Sequence, residues 1–195
     1  MSWVSISWSD NKSAFFGKTP YPKEYNPIVM PTNFRNNRKL SGGGILFDSG
    51  CHIIAEVLWL VGKKPISVYA DIDDQKSELR AAIILEFKNS IFVEIIIIGD
   101  TAHKERRLES SYYGSKQTVK LTGRPYKIEL LMNNNKDKIN IKKFKRIDTP
   151  IQEFSSYILG IKKKLSFTIE ESILVTKIIE ASYKSASKRK KYYLT

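Results

Sequence analysis

The stretch Ile45–Val61 constrains the fold most: seventeen residues, largely apolar and without proline, run from Gly42-Gly43-Gly44 to Gly62. A run of that length is too long for an ordinary strand, and a glycine just past its end is a helix stop, so it predicts a helix buried in a core. At about 100° per residue, Asp48, His52, Ala55, Glu56 and Trp59 fall within an arc of about 100°, while Cys51, Ile54, Leu58 and Val61 occupy other faces. The polar groups of a core helix thus form one stripe. Asp48 and His52, at i and i+4, are near enough for a carboxylate to orient an imidazole, the pairing that general acid–base chemistry uses. The same spacing also fits a histidine hydrogen-bonded at a packed interface. The triple glycine permits close backbone approach, and a helix N-terminus attracts anions. It is neither Gly-x-Gly-x-x-Gly nor a phosphate-binding Walker loop, and no strand precedes it.

Elements on either side complete the layout. Trp3 to Trp8 alternate as a short strand with no turn before it, so the chain is expected to start inside a structural element. Residues 10–44 hold Pro20, Pro22, Pro27 and Pro31 as well as the glycine run, which predicts a long irregular loop of the kind that walls or covers a site. After the helix come strands at Ile66–Asp71, Leu79–Lys88 and Ile91–Gly99, the last two a hairpin through Asn89-Ser90. Ala81–Leu85 and Ile95–Ile98 are apolar at consecutive positions, so this sheet is expected to be covered on both faces, with one face needing a cover beyond the chain's own helices. Leu108–Tyr113, a turn at Gly114, Thr118–Leu121, Tyr126–Met132, a turn at Asn133-Asn134-Asn135 and Lys138–Phe144 follow as further strands. A short helix near Ile151–Leu159 precedes a longer one opened by the capping box Thr168-Ile169-Glu170-Glu171. With no repeat and no linker, the whole reads as one α+β domain over residues 1–195: a large, mostly antiparallel sheet with helices on one face and the other face free for oligomer contact.

Composition narrows the function classes. Lys and Arg total 33 against 20 Asp and Glu, a net charge of +13. The surplus is concentrated in residues 136–195, but its lysines mostly flank apolar segments and read as a solvated face, so nucleic acid is not an expected partner. One cysteine and two histidines exclude an internal disulfide and a four-ligand structural zinc site. By composition no run of apolar residues is long enough for a membrane span, and a cytoplasmic protein is expected.

Ser41-Gly42-Gly43-Gly44-Ile45-Leu46-Phe47-Asp48-Ser49-Gly50-Cys51-His52, followed by Trp59-Leu60-Val61-Gly62 and Pro65–Ala70, resembles the substrate-domain signature of the Gfo/Idh/MocA oxidoreductases. Ser111–Leu121 and the tail through Glu180-Ala181-Ser182-Tyr183 to a short final strand at Lys191–Leu194 are similar to the same domain, so the resemblance spans nearly the whole chain. In that family a Rossmann domain binds NAD or NADP, and the C-terminal α+β domain supplies substrate contacts and the oligomer interface. The resemblance therefore implies the second domain alone: there is no glycine fingerprint, and Lys64-Pro65 stands in the wrong place for the family's catalytic lysine. It implies that this chain by itself binds no cofactor or metal, is inactive without a separate or partner dinucleotide-binding half, and forms homo-oligomers through its sheet. It assigns His52 to acid–base work on a sugar or polyol hydroxyl, Asp48 to positioning the substrate or that histidine, and Arg35 to substrate binding. Ala55 stands where the family commonly has a further Asp, with Glu56 beside it. A non-catalytic assembly or sugar-binding module that keeps the fold is the alternative.

Overall fold

A computed structural model describes residues 1–195 except Pro22, 24–27, Val29, Pro31, 74–76, Lys104, 124–125, 133–134, 140–146 and Thr195; side chains at 32–33 and 135–139 are likewise not described. In chain order the elements are β1 (Trp3–Ser9), α1 (Thr32–Arg35), α2 (Arg38–Ser41), a π-helical turn (Leu46–Gly50) leading into α3 (Cys51–Val61), β2 (Pro65–Ile72), β3 (Arg80–Phe87), β4 (Ile91–Ile98), β5 (Arg107–Tyr113), β6 (Thr118–Gly123), β7 (Lys127–Met132), β8 (Asn135–Ile139), α4 (Pro150–Ile158), α5 (Ile169–Lys188) and β9 (Tyr192–Tyr193). The strands form one sheet in the order β8-β7-β6-β5-β1-β4-β3-β2-β9. β1 runs parallel to β4, and every other neighbouring pair is antiparallel. This is the expected α+β class with a mostly antiparallel sheet.

Inward residues alternate along the central strands: Val4, Ile6 and Trp8 on β1, Ala81, Ile83, Leu85 and Phe87 on β3, and Ile91, Val93, Ile95 and Ile97 on β4. α3 and α5 cover that face through Ile53, Ile54, Val57 and Leu58 and through Val175, Ile178, Ile179 and Ala181. Full burial of each such side chain stabilises by roughly 1.5–3 kcal/mol, so this single layer carries the domain. The expectation of cover on both faces is not met within this chain. The other face is open, and its apolar residues Trp3, Tyr69, Ile84 and Tyr113 remain at least two-fifths exposed. Consecutive apolar residues on β3 and β4 reflect this second apolar surface.

Two further readings need correction. The excursion over 10–44 is not wholly irregular: α1 and α2 are single helical turns, α2 capped by the Asn37 side chain and stopped by Gly42 in the left-handed region at φ 83°. The span Arg38–Val61 is also long and apolar enough, by length and composition, to cross a membrane, with a mean hydropathy of 1.5. In this fold Gly42–Gly44 interrupts it, and Ile45, Leu46, Ile53, Ile54 and Val57 are buried against the sheet. Elsewhere the elements lie within a residue or two of expectation. The strand expected at Lys138–Phe144 begins earlier, at Asn135, and its second half, like most of the Asn133–Asn135 turn, lies outside the described residues.

Candidate functional site

The glycine run before α3 closes rather than opens the helix entrance. The Glu78 carboxylate is wholly buried and accepts the Gly44 N–H (2.9 and 3.0 Å to its two oxygens), the Leu46 N–H (3.0 Å) and the Tyr183 hydroxyl (2.7 Å). A Cβ at Gly43 would collide with the Tyr183 hydroxyl, and one at Gly44 with Glu78 itself. Glycine is therefore required by packing, and the anion that a helix N-terminus attracts is supplied from within the chain. Burial pushes the Glu78 carboxyl above its ordinary value, against the lowering effect of these donors. Arg38 stacks on the Tyr183 ring at 4.1 Å and seals the corner.

One turn further on, the helix is open. A hollow of about 530 Å3 is walled by Asp48, Ser49, His52 and Glu56 from the helix, by Lys12 and Arg35 from the 10–44 excursion, and by Trp8, Arg106, Leu108 and Tyr126 from the sheet side. Arg35, from the 10–44 excursion, thus converges with Asp48 and His52 on one cleft. The excursion forms part of its wall.

The expected pairing of Asp48 with His52 is not present. Asp48 Oδ1 accepts from Arg35 Nε at 3.0 Å, and Oδ2 accepts from the Ser49 hydroxyl at 3.4 Å. Asp48 sits on the wide π-helical turn, where the α-helical i, i+4 geometry does not hold. The His52 ring is exposed and makes no hydrogen bond among the described residues. His103, in contrast, is fully engaged, with Ser9 Oγ at 3.2 Å and the Glu105 carbonyl at 2.7 Å, and serves the loop before β5.

Three features were missed by sequence reasoning. Asp10, nearly buried after β1, holds Arg106 (3.3 Å) and Lys12 (3.8 Å) at the mouth of the cleft. Tyr112 on β5 donates to Glu56 Oε1 at 2.5 Å. Pairings that span 96 and 56 residues leave no local signal, although the 10–44 excursion did point at Lys12's region. A second hollow of about 670 Å3 lies on the far side of the same helix stripe, between His52, Ala55, Glu56 and Trp59 and the segment Ile147–Phe167. Among the described residues, no group of three or more His, Cys, Asp or Glu is arranged to hold a metal.

Residues 14–120, more than half of the chain, match the family model for the GFO/IDH/MocA C-terminal domain. The chain belongs to this family. Among solved structures it is similar to a putative oxidoreductase from Thermotoga maritima (20% identity, TM-score 0.77, 98% of this chain and 54% of that one). The same fold is seen in aldose-aldose oxidoreductase from Caulobacter crescentus complexed with glycerol (17%, 0.73, 98% and 55%). Levoglucosan dehydrogenase shares it too, both as the apo form (12%, 0.76, 99% and 59%) and in complex with NADH (12%, 0.74, 99% and 58%). No curated protein sequence matches significantly. At these identities the structural likeness establishes the fold, and the chain spans little more than half the length of these neighbours.

Proposed function

We propose that this chain is the substrate-binding and oligomerisation half of an NAD(P)-dependent sugar or polyol oxidoreductase, with His52 taking the proton from the substrate hydroxyl. The observation that carries this reading is the convergence of Arg35, Asp48 and His52 on one solvent-open cleft. An imidazole nitrogen can both accept and donate a proton, so an exposed ring without a fixed partner is available to accept one in one direction and return it in the other. Arg35 and Asp48 hold each other in place, leaving the outer edge of the guanidinium for substrate oxygens.

The helix N-termini of this chain favour a cofactor site elsewhere. The entrance to the π turn and α3 is filled by Glu78, and the N-termini of α4 and α5 are closed by the capping boxes Thr149/Gln152 and Thr168/Glu171. The pyrophosphate of NAD or NADP is commonly held at such a terminus, which supports assigning cofactor and hydride chemistry to a separate dinucleotide-binding half. The second hollow shares His52 and Glu56 with the cleft, and such a half would seat there. Light scattering tests the oligomer claim: Ile84→Asp on the open sheet face should reduce a multimer to monomers.

In calorimetry the isolated chain should bind no NADH, and joined to a dinucleotide-binding half it should oxidise sugars or polyols in a His52-dependent way. Tight, stoichiometric NADH binding by the isolated chain would sink this reading. The second reading, a non-catalytic module that keeps the fold, is favoured by Ala55. It would be selected by sugar binding or assembly that persists in His52→Ala without any restored turnover.

A further inference from the structure

Glu56 stands one helical turn after His52 on α3 and lines both hollows with it. Residues at i and i+4 share a helix face, so the two side chains reach the same space. Tyr112 fixes one carboxylate oxygen, Oε1, at 2.5 Å, within the range of a charge-assisted bond. Oε2 has no hydrogen bond among the described residues. Burial, reinforced by the neighbouring Glu56, pushes the Tyr112 phenol above its ordinary value and keeps it a donor. Asp48 differs: both of its oxygens are engaged, by Arg35 and by Ser49. At position 55 there is no acid at all.

We propose that Glu56, held by Tyr112, is the carboxylate that works beside His52: its Oε2 accepts a hydrogen bond from a substrate hydroxyl adjacent to the one His52 deprotonates. Tyr112 is a positioning residue that acts through Glu56. No bond is made or broken at either residue. The proposal rests on reading the His52 cleft as a sugar or polyol site. A purely structural alternative is available, that Tyr112 and Glu56 only tie β5 to α3, and it predicts lost stability without lost affinity.

The test is calorimetric titration of the full chain with glucose and with myo-inositol, alongside thermal melts. Glu56→Gln keeps an acceptor for Tyr112 and so keeps the fold, yet it should weaken the better-bound sugar about tenfold or more, the worth of one hydrogen bond to a charged group. Tyr112→Phe should weaken it by about threefold to tenfold, and the double variant should be no weaker than Glu56→Gln alone, because one residue acts through the other. Affinity that depends on His52 but is unchanged in Glu56→Gln overturns the role of Glu56 while leaving the sugar site standing. Additive losses in the double variant overturn the positioning role of Tyr112. If the wild-type chain binds neither sugar up to on the order of 50 mM, the sugar-site reading falls and this proposal falls with it.

Discussion

The two ends of one helical segment have been put to opposite uses. At Gly43 and Gly44 the backbone is pressed against Tyr183 and Glu78, and the Gly44 and Leu46 amides are taken up by the Glu78 carboxylate. At His52 and Glu56, two turns on, the side chains face open hollows and the histidine ring is unengaged. The more conspicuous motif in the sequence, three glycines at a helix start, is thus a packing device. The less conspicuous one, an acid and a histidine four residues apart, marks the cleft. A helix N-terminus attracts negative charge wherever that charge comes from, and here an internal glutamate satisfies it.

The largest expected effect comes from breaking the closed end. In Gly44→Ala the new Cβ lands on the carboxylate and carbonyl of Glu78, which is buried and held by three donors and cannot step aside. Urea denaturation should show a loss of about 3 kcal/mol or more, the upper range for overpacking. Gly62→Ala is the matched control, in the left-handed region at φ 65° with nothing near its Cβ, and should lose only about 1 kcal/mol. Equal losses would mean that the Glu78 contact yields to the new methyl and that close packing does not require glycine at position 44.

Glu78 itself comes next. Glu78→Ala leaves the Gly44 and Leu46 amides and the Tyr183 hydroxyl without their acceptor, and about 2–4 kcal/mol should be lost. Its pH signature has a definite sign. The folded value is raised by burial, so the stabilising contribution is fully present below the ordinary carboxylate value and is lost as pH rises through the higher folded value. Glu78→Gln cannot ionise and should flatten that part of the stability profile, above the ordinary carboxylate value. A profile identical to the wild type would show that the donors fully offset burial, leaving no net shift.

The open end should behave in the reverse manner. His52→Ala removes an exposed ring, so the melt should move by no more than about 0.5 kcal/mol, while sugar binding and any restored turnover are lost. A drop comparable to that of Gly44→Ala would make His52 a packing residue and erase the contrast between the two ends.

How much of this was legible follows from the range of the forces involved. Helix stops, capping boxes and hairpin turns are local, and Gly62, Thr168 with Glu171, and Asn89-Ser90 were placed from neighbouring residues alone. The stripe of Asp48, His52 and Glu56 was legible for the same reason. The partners were not. Glu78 is 34 residues from Gly44 and 105 from Tyr183, and Arg35 takes Asp48 away from His52 only because the excursion folds back over the π turn. Consecutive apolar residues on β3 and β4 were a true sign of two apolar faces, but sequence does not tell which face its own helices will cover.

The smallest expected effect lies at α4, whose polarity is turned inside out. Ile151, Phe154 and Ile158 point to solvent, while Glu153 faces inward and its Oε1 accepts from Lys162 Nζ (2.5 Å), the Ser166 N–H (2.7 Å) and the Ser166 hydroxyl (2.6 Å). The Lys162 ammonium, then the Ser166 donors, hold the Glu153 carboxyl down to about 2. This is the opposite shift to that of Glu78, and its consequence has the opposite sign: the contribution is present above the ordinary carboxylate value and is lost as pH falls through about 2. Glu153→Gln keeps an acceptor oxygen and removes the charge. Because the bond closes a surface hook and the core is untouched, the global melt should stay where it is. Amide exchange over 150–158 should quicken, since that segment buries no side chain of its own to hold it. Unchanged exchange would show that the capping box at Thr149 and the packing of the 159–167 return suffice to hold α4.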